Sequence, residues 1–184
     1  MITREQAWEK LNELIKNQNL IKHCLAVEAS MIAYAEYFRV SPQEQKKWGI
    51  AGLLHDADWE KYPEEHPKIV SQWLKDRHVS EDIINAVEAH GFEFGVEPHT
   101  QMAKTLRAID ELTGLIVAVA LVKDKKLHNV TVSSVQNKWK DKAFARGVKR
   151  TDIERGAEEI NVLLDEHIQI VLNAMQKNSA ELGL

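Results

Sequence analysis

A histidine and an aspartate stand side by side where an apolar run of the sequence ends. The run Gly49 to Leu54 is followed at once by His55 and Asp56, and then by a polar, aromatic and proline-bearing stretch, residues 57–67. An imidazole nitrogen and a carboxylate oxygen are both good ligands for divalent transition metals. Neighbouring residues on a regular helix point about 100° apart, so this pair can share a site only near a helix end and with donors from other elements.

Further donors lie on both sides of the pair, each on a segment that reads as helical. His23 lies upstream, and three more residues lie downstream: His66, His90 and Asp110. A carboxylate in the middle of an apolar helix, as at Asp110 beside Ile109, is costly unless something pairs with it. Together with the pair, His23 and Asp110 would complete a set of four donors. Mixed imidazole and carboxylate donors suit Mn, Fe, Co, Ni or Zn better than a Mg site built of oxygen alone.

This ordered set resembles the HD-domain superfamily of metal-dependent phosphohydrolases. The resemblance covers about residues 17–122 and depends on the first His, the run GLLHDADWEKYPEEHP, the AHG that contains His90, and the Asp of RAIDELTGLI. It implies that one divalent ion is bound by the first His, the His-Asp pair and the last Asp, here His23, His55, Asp56 and Asp110. Members with two metals have two extra histidines and a bridging Asp, and His66, His90 and Asp56 stand at those positions.

The segment that follows the pair departs from the common His-Asp-Ile-Gly-Lys form of that family. Ala57 and Asp58 replace Ile-Gly, and Trp59 stands where a lysine is often found. Asp58, Glu60 and Lys61 are the candidates for the missing polar function. The predicted catalytic residues are Asp56, Asp58 and Lys61.

A phosphate substrate also needs positive charge in addition to the metal, and basic residues concentrate after Lys123. The predicted substrate-binding residues are Lys138, Lys142 and Arg146, with Lys149 and Arg150 beyond them. A guanidinium group offers two parallel hydrogen bonds to a phosphate. The alternative interpretation of this segment is an ordinary solvated surface.

The elements that must position these residues are helices. Apolar residues recur at helical spacing between only four prolines and eight glycines, which predicts an all-α, HD-domain-like protein of about seven to nine helices. Thr3 and the Ser41-Pro42 pair are typical helix starts, and a cap at Thr131 or Ser133 favours a short helix over a strand at 130–135. Predicted helices cover about residues 3–17, 20–38, 42–55, 67–77, 80–90 and 99–122, and a final stretch, 152–176, has a kink or join at Gly156.

Length and charge limit the class of protein. At 184 residues the chain fits a single domain, 1–184, with its motif core at about 17–122 and with residues 123–184 forming a basic segment and a C-terminal helix that pack on the core. A net charge of -4, from 24 basic and 28 acidic residues, makes nucleic acid and membrane surfaces poor partners. The only cysteine, Cys24, cannot form an internal disulfide and is expected to be a buried small side chain. An N-terminus unlike a signal peptide and the lack of a long apolar run predict a cytoplasmic protein.

These observations predict a hydrolase that uses one or two divalent ions and a metal-activated water as nucleophile. Its substrate would be a phosphomonoester or phosphodiester, a nucleotide or another small phosphorylated molecule, and the protein would act as a monomer or homodimer. Two alternatives remain from the same residues: a di-iron oxygenase on an HD-type scaffold, and a non-catalytic metal- or ligand-binding sensor domain. Single-stranded nucleic-acid binding through the basic segment is a weaker third alternative.

Overall fold

The computed structural model describes residues 2–141 and 143–184, and within them all regular structure is helical. The α-helices are α1 Arg4–Leu14, α2 Gln18–Tyr37, α3 Pro42–Leu54, α4 Lys68–Asp76, α5 Glu81–Glu88, α6 Gln101–Leu121, α7 Val132–Trp139, α8 Arg150–Glu159, α9 Leu164–Lys177 and α10 Ser179–Leu182. Short 3-10 helices lie at Phe92–Phe94 and Leu127–Asn129. The predicted all-α class is confirmed. The described residues form ten α-helices, and the predicted number, seven to nine, is met when the four-residue α10 is left out.

Five of the ten described α-helices, α1, α2, α3, α6 and α7, begin at a residue whose side chain accepts a backbone N–H of the first turn. Thr3 forms a capping box with Gln6 at the start of α1, and Ser41 accepts from the backbone of Glu44 with proline at the first position of α3. Thr131 caps α7, so residues 132–139 form the short helix and not the strand. Local capping chemistry therefore determines where these elements start.

Helices α2 and α6 form the centre of the molecule. Helix α2 buries Met31 and Tyr34, and α6 buries Leu106 and Ile109. Helix α3 packs along α2, α8 packs along α6, and α9 contacts both α2 and α6. Cys24 is buried and free, as predicted. In the part of the chain that the structure describes, none of the helices is both long enough and apolar enough to cross a bilayer.

The predicted kink or join at Gly156 is wrong. Helix α8 passes through this glycine and ends at Glu159, and the chain turns at Asn161, whose φ of 57° lies in the left-handed region. A Cβ atom at Gly156 would lie 2.5 Å from the Cα of Ala108 on α6. The absence of a side chain at Gly156 thus lets α8 pack closely against α6. Contacts between two separate helices leave no local pattern in the sequence.

Candidate metal centre

Six side chains from five segments of the chain converge beside one cavity, and all of them except the buried His55 line it. They come from α2, the end of α3, the loop before α4, the end of α5 and the middle of α6: His23, His55 with Asp56, His66, His90 and Asp110. Helix α3 ends at Leu54, and both members of the pair lie in the turns that directly follow it. The helix end that the pair required is therefore present.

Four of these residues form a first donor group, His23, His55, Asp56 and Asp110. The Nε2 atom of His23 lies 2.9 Å from Oδ1 of Asp110 and 3.2 Å from Nε2 of His55, which itself lies 3.4 Å from Oδ1 of Asp110. The Oδ2 atom of Asp56 lies 3.5 Å from both imidazole nitrogens. Ligands at about 2.1 Å from one ion lie roughly 3.0–3.4 Å apart in octahedral or tetrahedral geometry. The spacing of this group fits one divalent ion.

Three residues form a second donor group, Asp56, His66 and His90. The Nε2 atoms of His66 and His90 are 3.2 Å apart, and Oδ1 of Asp56 lies 3.4 Å from the first and 3.5 Å from the second. Asp56 therefore turns one carboxylate oxygen toward each donor group. This is the arrangement that a carboxylate bridging two ions requires.

Two of the histidines are oriented by backbone carbonyls. Nδ1 of His55 lies 2.8 Å from the carbonyl oxygen of Gly52, and Nδ1 of His90 lies 2.6 Å from that of Val87. Because a carbonyl can only accept, each Nδ1 carries the proton and each Nε2 keeps its lone pair. The lone pairs of both rings thus face the donor groups.

The other two histidines are oriented by side chains. Nδ1 of His66 lies 2.6 Å from Oδ1 of Asp58, and Nδ1 of His23 lies 3.3 Å from the hydroxyl of Thr113. The Thr113 hydroxyl donates to the carbonyl of Asp110 at 2.8 Å, so its oxygen is free to accept from His23. Hydrogen bonds of this kind orient metal-binding imidazoles.

The charges of the two aspartates call for a cation. Among the described residues, no lysine or arginine nitrogen forms an ion pair with Asp56 or Asp110, and their charged contacts are all histidines. Burial disfavours the charged carboxylates, but the neighbouring histidines outweigh it and hold the pKa of both aspartates well below the usual range. Burial likewise opposes protonation of His23, yet its contacts with the same aspartates raise the pKa of its imidazole to about 10. A divalent ion would supply the positive charge that these protons otherwise provide.

The cavity beside the donor groups has a volume of about 420 Å³. Aromatic rings form one wall: Trp59 and Phe94 lie 5.1 Å and 5.4 Å from the ring of His66, and Phe94 also lies 5.0 Å from that of His90. Trp59 is 45% exposed, which leaves much of its ring surface open to a ligand. The remaining wall is charged, with Glu93, Arg107, Glu111, Lys149 and Asp152.

Of the residues that the structure describes, two lysine or arginine side chains, Arg107 and Lys149, line this cavity, and each is paired with an acidic residue. Arg107 lies one helical turn before Asp110; its Nη2 is 2.6 Å from Oε2 of Glu159, and its guanidinium lies 4.3 Å from the centre of the Phe92 ring. Nζ of Lys149 lies 2.8 Å from Oε1 of Glu93. Each of these cations is therefore already paired with a carboxylate.

The two predicted substrate-binding residues that the structure describes, Lys138 and Arg146, lie elsewhere. Neither Lys138 nor Arg146 lines the cavity. Nζ of Lys138 lies 5.0 Å from the centre of the Phe144 ring, and Arg146 is exposed to solvent. Lys142 lies outside the described residues. Arg150 donates to three carbonyls of its own loop, those of Phe144, Ala145 and Val148. Of the basic segment, the structure brings only Lys149 to the cavity among the residues it describes.

The structure also corrects the predicted catalytic positions of Asp58 and Lys61. Asp58 is completely buried behind His66 and does not line the cavity. Lys61 is exposed, and its Nζ lies 5.4 Å from the ring of Tyr62. Glu60, the third candidate, accepts hydrogen bonds from the backbone N–H groups of Lys16 and Asn17 at 2.8 Å and 2.9 Å, so it anchors the start of α2. Only Asp56 of the predicted catalytic set faces the cavity.

Sequence reasoning missed Arg107, Phe92 and Phe94, all of which line the cavity. Arg107 could have been found, because it precedes Asp110 by three residues and so lies on the same face of α6. The phenylalanines belong to a loop between His90 and α6, and no periodicity in that loop indicates which way its side chains point.

Comparison with known proteins gave one match. A family model described as HD domain matches residues 20–115, just over half of the chain. The matched range begins in α2 before His23 and ends in α6 after Asp110, so it contains all six donor residues. No curated protein and no solved structure matched the chain significantly.

Proposed function

This chain belongs to the HD domain family, whose members are generally metal-dependent hydrolases, and from that premise we propose that it hydrolyses a phosphomonoester or phosphodiester of a nucleotide or another small molecule. The observation that carries the proposal is the position of Asp56. One of its oxygens lies 3.5 Å from the histidines of the first donor group, and the other lies 3.4 Å and 3.5 Å from those of the second. Such a bridge suits two ions acting on one phosphoryl group.

The donor groups divide the work of binding the metal. His23, His55, Asp56 and Asp110 would hold one ion, and Asp56, His66 and His90 would hold the other. Divalent ions in such a pair lower the pKa of coordinated water and polarise a phosphoryl oxygen. The three-residue group leaves more coordination positions free for water and substrate than the four-residue group does.

The cavity walls suit a small phosphorylated substrate. A volume of about 420 Å³ is in the range of ordinary small-molecule sites. Arg107 and Lys149 line the cavity, and we infer that they would contact phosphate oxygens that project from the metal centre. The open face of Trp59 offers a stacking surface for the organic part of the substrate.

Metal analysis followed by an activity panel tests the proposal. The purified protein, loaded with Mn²⁺, should contain about two ions per chain and should release phosphate or a phosphomonoester from some member of a panel of phosphomonoesters and phosphodiesters. Asp56→Ala should lose both the bound metal and the activity, the latter by a factor on the order of 10³ or more. His128→Ala, which alters an exposed histidine away from the cavity, is the matched control.

The panel also separates the alternatives. Four imidazoles and two carboxylates are equally good ligands for iron, so the assays should be run with and without O₂. Phosphate release that continues without O₂ excludes an oxygenase, whereas O₂ consumption without phosphate release would replace the proposal by one. If less than about one metal binds per chain and Asp56→Ala changes neither metal content nor thermal stability, the catalytic proposal fails altogether.

A further inference from the structure

We propose that Asp58 is a positioning residue that sets the metal affinity of the second donor group, Asp56, His66 and His90, and leaves that of the first group unchanged. The inference rests on the metal sites of the proposed function. It goes beyond them by assigning one buried carboxylate to one of two ions, so that occupancy of the two sites is under separate control.

The four histidines differ in the acceptor behind Nδ1. His55 and His90 use neutral backbone carbonyls, and His23 uses a hydroxyl at the longer distance of 3.3 Å. Only His66 uses a carboxylate, Oδ1 of Asp58 at 2.6 Å. A hydrogen bond to an ionised acceptor is about twice as strong as a neutral one, and it makes the opposite ring nitrogen a better metal ligand.

The surroundings of Asp58 hold it in this position. Its other oxygen, Oδ2, accepts the backbone N–H of Val70 at 2.9 Å. Val70 is the third residue of α4, and the residue at the start of that helix, Pro67, makes no side-chain capping hydrogen bond. Asp58 thus takes the place of the missing side-chain cap at the start of α4. Among the described residues, the only ionisable side chain that pairs with Asp58 is His66.

The second donor group is the one that depends on such support. It has three residues, and one of them, Asp56, is shared with the first group. His66 lies in the turns between α3 and α4 and not within a helix, so its ring is oriented by its contacts with Asp58, Trp59 and Phe94. The first group has four donors, and Asp58 touches none of them.

Mn²⁺ titration of the metal-free protein tests this inference. Calorimetry and electron paramagnetic resonance would follow wild type, Asp58→Asn and, as the matched control behind a ligand of the first group, Thr113→Val. We expect Asp58→Asn to keep one tight Mn²⁺ within about twofold of wild type and to weaken the second by a factor of about 10–100. Thr113→Val should leave the affinity of the second site unchanged.

The outcomes separate this inference from the proposed function. If wild type binds no Mn²⁺, the proposed function fails. If wild type binds two ions and Asp58→Asn weakens both sites equally, or neither, the role of Asp58 is refuted while the metal centre stands. A measurement on wild type covers the case in which Asp58→Asn does not fold. In the Zn²⁺-loaded protein, the Nδ1 proton of His66 should resonate farther downfield than those of His55 and His90, and an unprotonated Nδ1 at His66 would overturn the inference.

Discussion

Asp56 and His167 show how the surroundings of a single residue determine its protonation. Asp56 lies among four imidazoles, which hold the pKa of its carboxyl well below the usual range against the opposing effect of burial. His167 is completely buried, and its Nε2 donates to the carbonyl of Ala108 at 3.0 Å while its Nδ1 accepts from the hydroxyl of Tyr34. Burial lowers the pKa of His167 to about 4. The first residue is built to attract cations, and the second to stay neutral.

His167 should make the protein sensitive to mild acid. An unfolded chain protonates this histidine near pH 6.5, but the folded protein does so only near pH 4, so the stabilising neutral state is fully effective above pH 6.5 and is lost as the pH falls toward 4. The contribution is on the order of 3 kcal/mol. The test is the slope of the free energy of unfolding against pH, measured with denaturant on metal-free protein between pH 4 and 7. This slope should be smaller for His167→Gln than for wild type. The exposed His99→Gln should keep the wild-type slope, and equal slopes for all three proteins would contradict the assignment.

At the scale of elements, the segment between α3 and α4 contains two prolines and no regular helix, yet two of its side chains hold parts of the site in place. Asp58 orients His66, and Glu60 binds the backbone at the start of α2, the helix that carries His23. The sequence showed that this segment departs from the common form of the family motif. It did not show that Asp58 points toward His66 or that Glu60 points toward the start of α2. Side-chain directions in a turn depend on the dihedral angles of each residue and follow no fixed period.

The contact between α6 and α8 gives a prediction at this scale. Gly156→Ala places a methyl group 2.5 Å from the Cα of Ala108, and a backbone atom cannot move aside cheaply, so the free energy of unfolding should fall by about 2 kcal/mol or more. Gly114→Ala is the matched control, because it also lies within a helix but its nearest neighbour would be a side-chain carbon of Val148 at 3.7 Å. That change should be neutral or stabilising by up to about 1 kcal/mol. Chemical denaturation of both variants measures these changes in the free energy of unfolding. Equal changes for Gly156→Ala and Gly114→Ala would refute the close packing at Gly156.

At the scale of the whole molecule, the donor residues tie together segments that are distant in sequence. His23 and Asp110 belong to the two central helices, and their side chains meet at 2.9 Å although 86 residues separate them along the chain. Such a site does not exist in the unfolded chain, so the free energy of metal binding becomes free energy of folding. The proposed ions would act as internal cross-links between α2, α3 and α6.

Metal removal should therefore lower the thermal stability of the protein. At free Mn²⁺ about a hundred times the Kd, a single site stabilises the folded state by about 2.7 kcal/mol, and chelation should remove that contribution. Differential scanning calorimetry with increasing Mn²⁺ measures the rise in Tm. Asp56→Ala should show little or no rise, because that change removes a ligand from both donor groups; a rise as large as that of wild type would place the stabilising ion elsewhere.

The amino-acid sequence by itself determined the helical class, the start of helices at Thr3, Ser41 and Thr131, and the ordered donors from His23 to Asp110. These features depend on local capping chemistry, on periodicity and on the order of residue types, all of which are visible along one chain. Only the tertiary structure decided that Lys149 and Arg107 line the cavity in place of Lys138 and Arg146, and that Asp58 supports a ligand instead of facing the substrate. Those outcomes depend on how loops leave helix ends and on contacts between segments far apart in sequence, which no local pattern records.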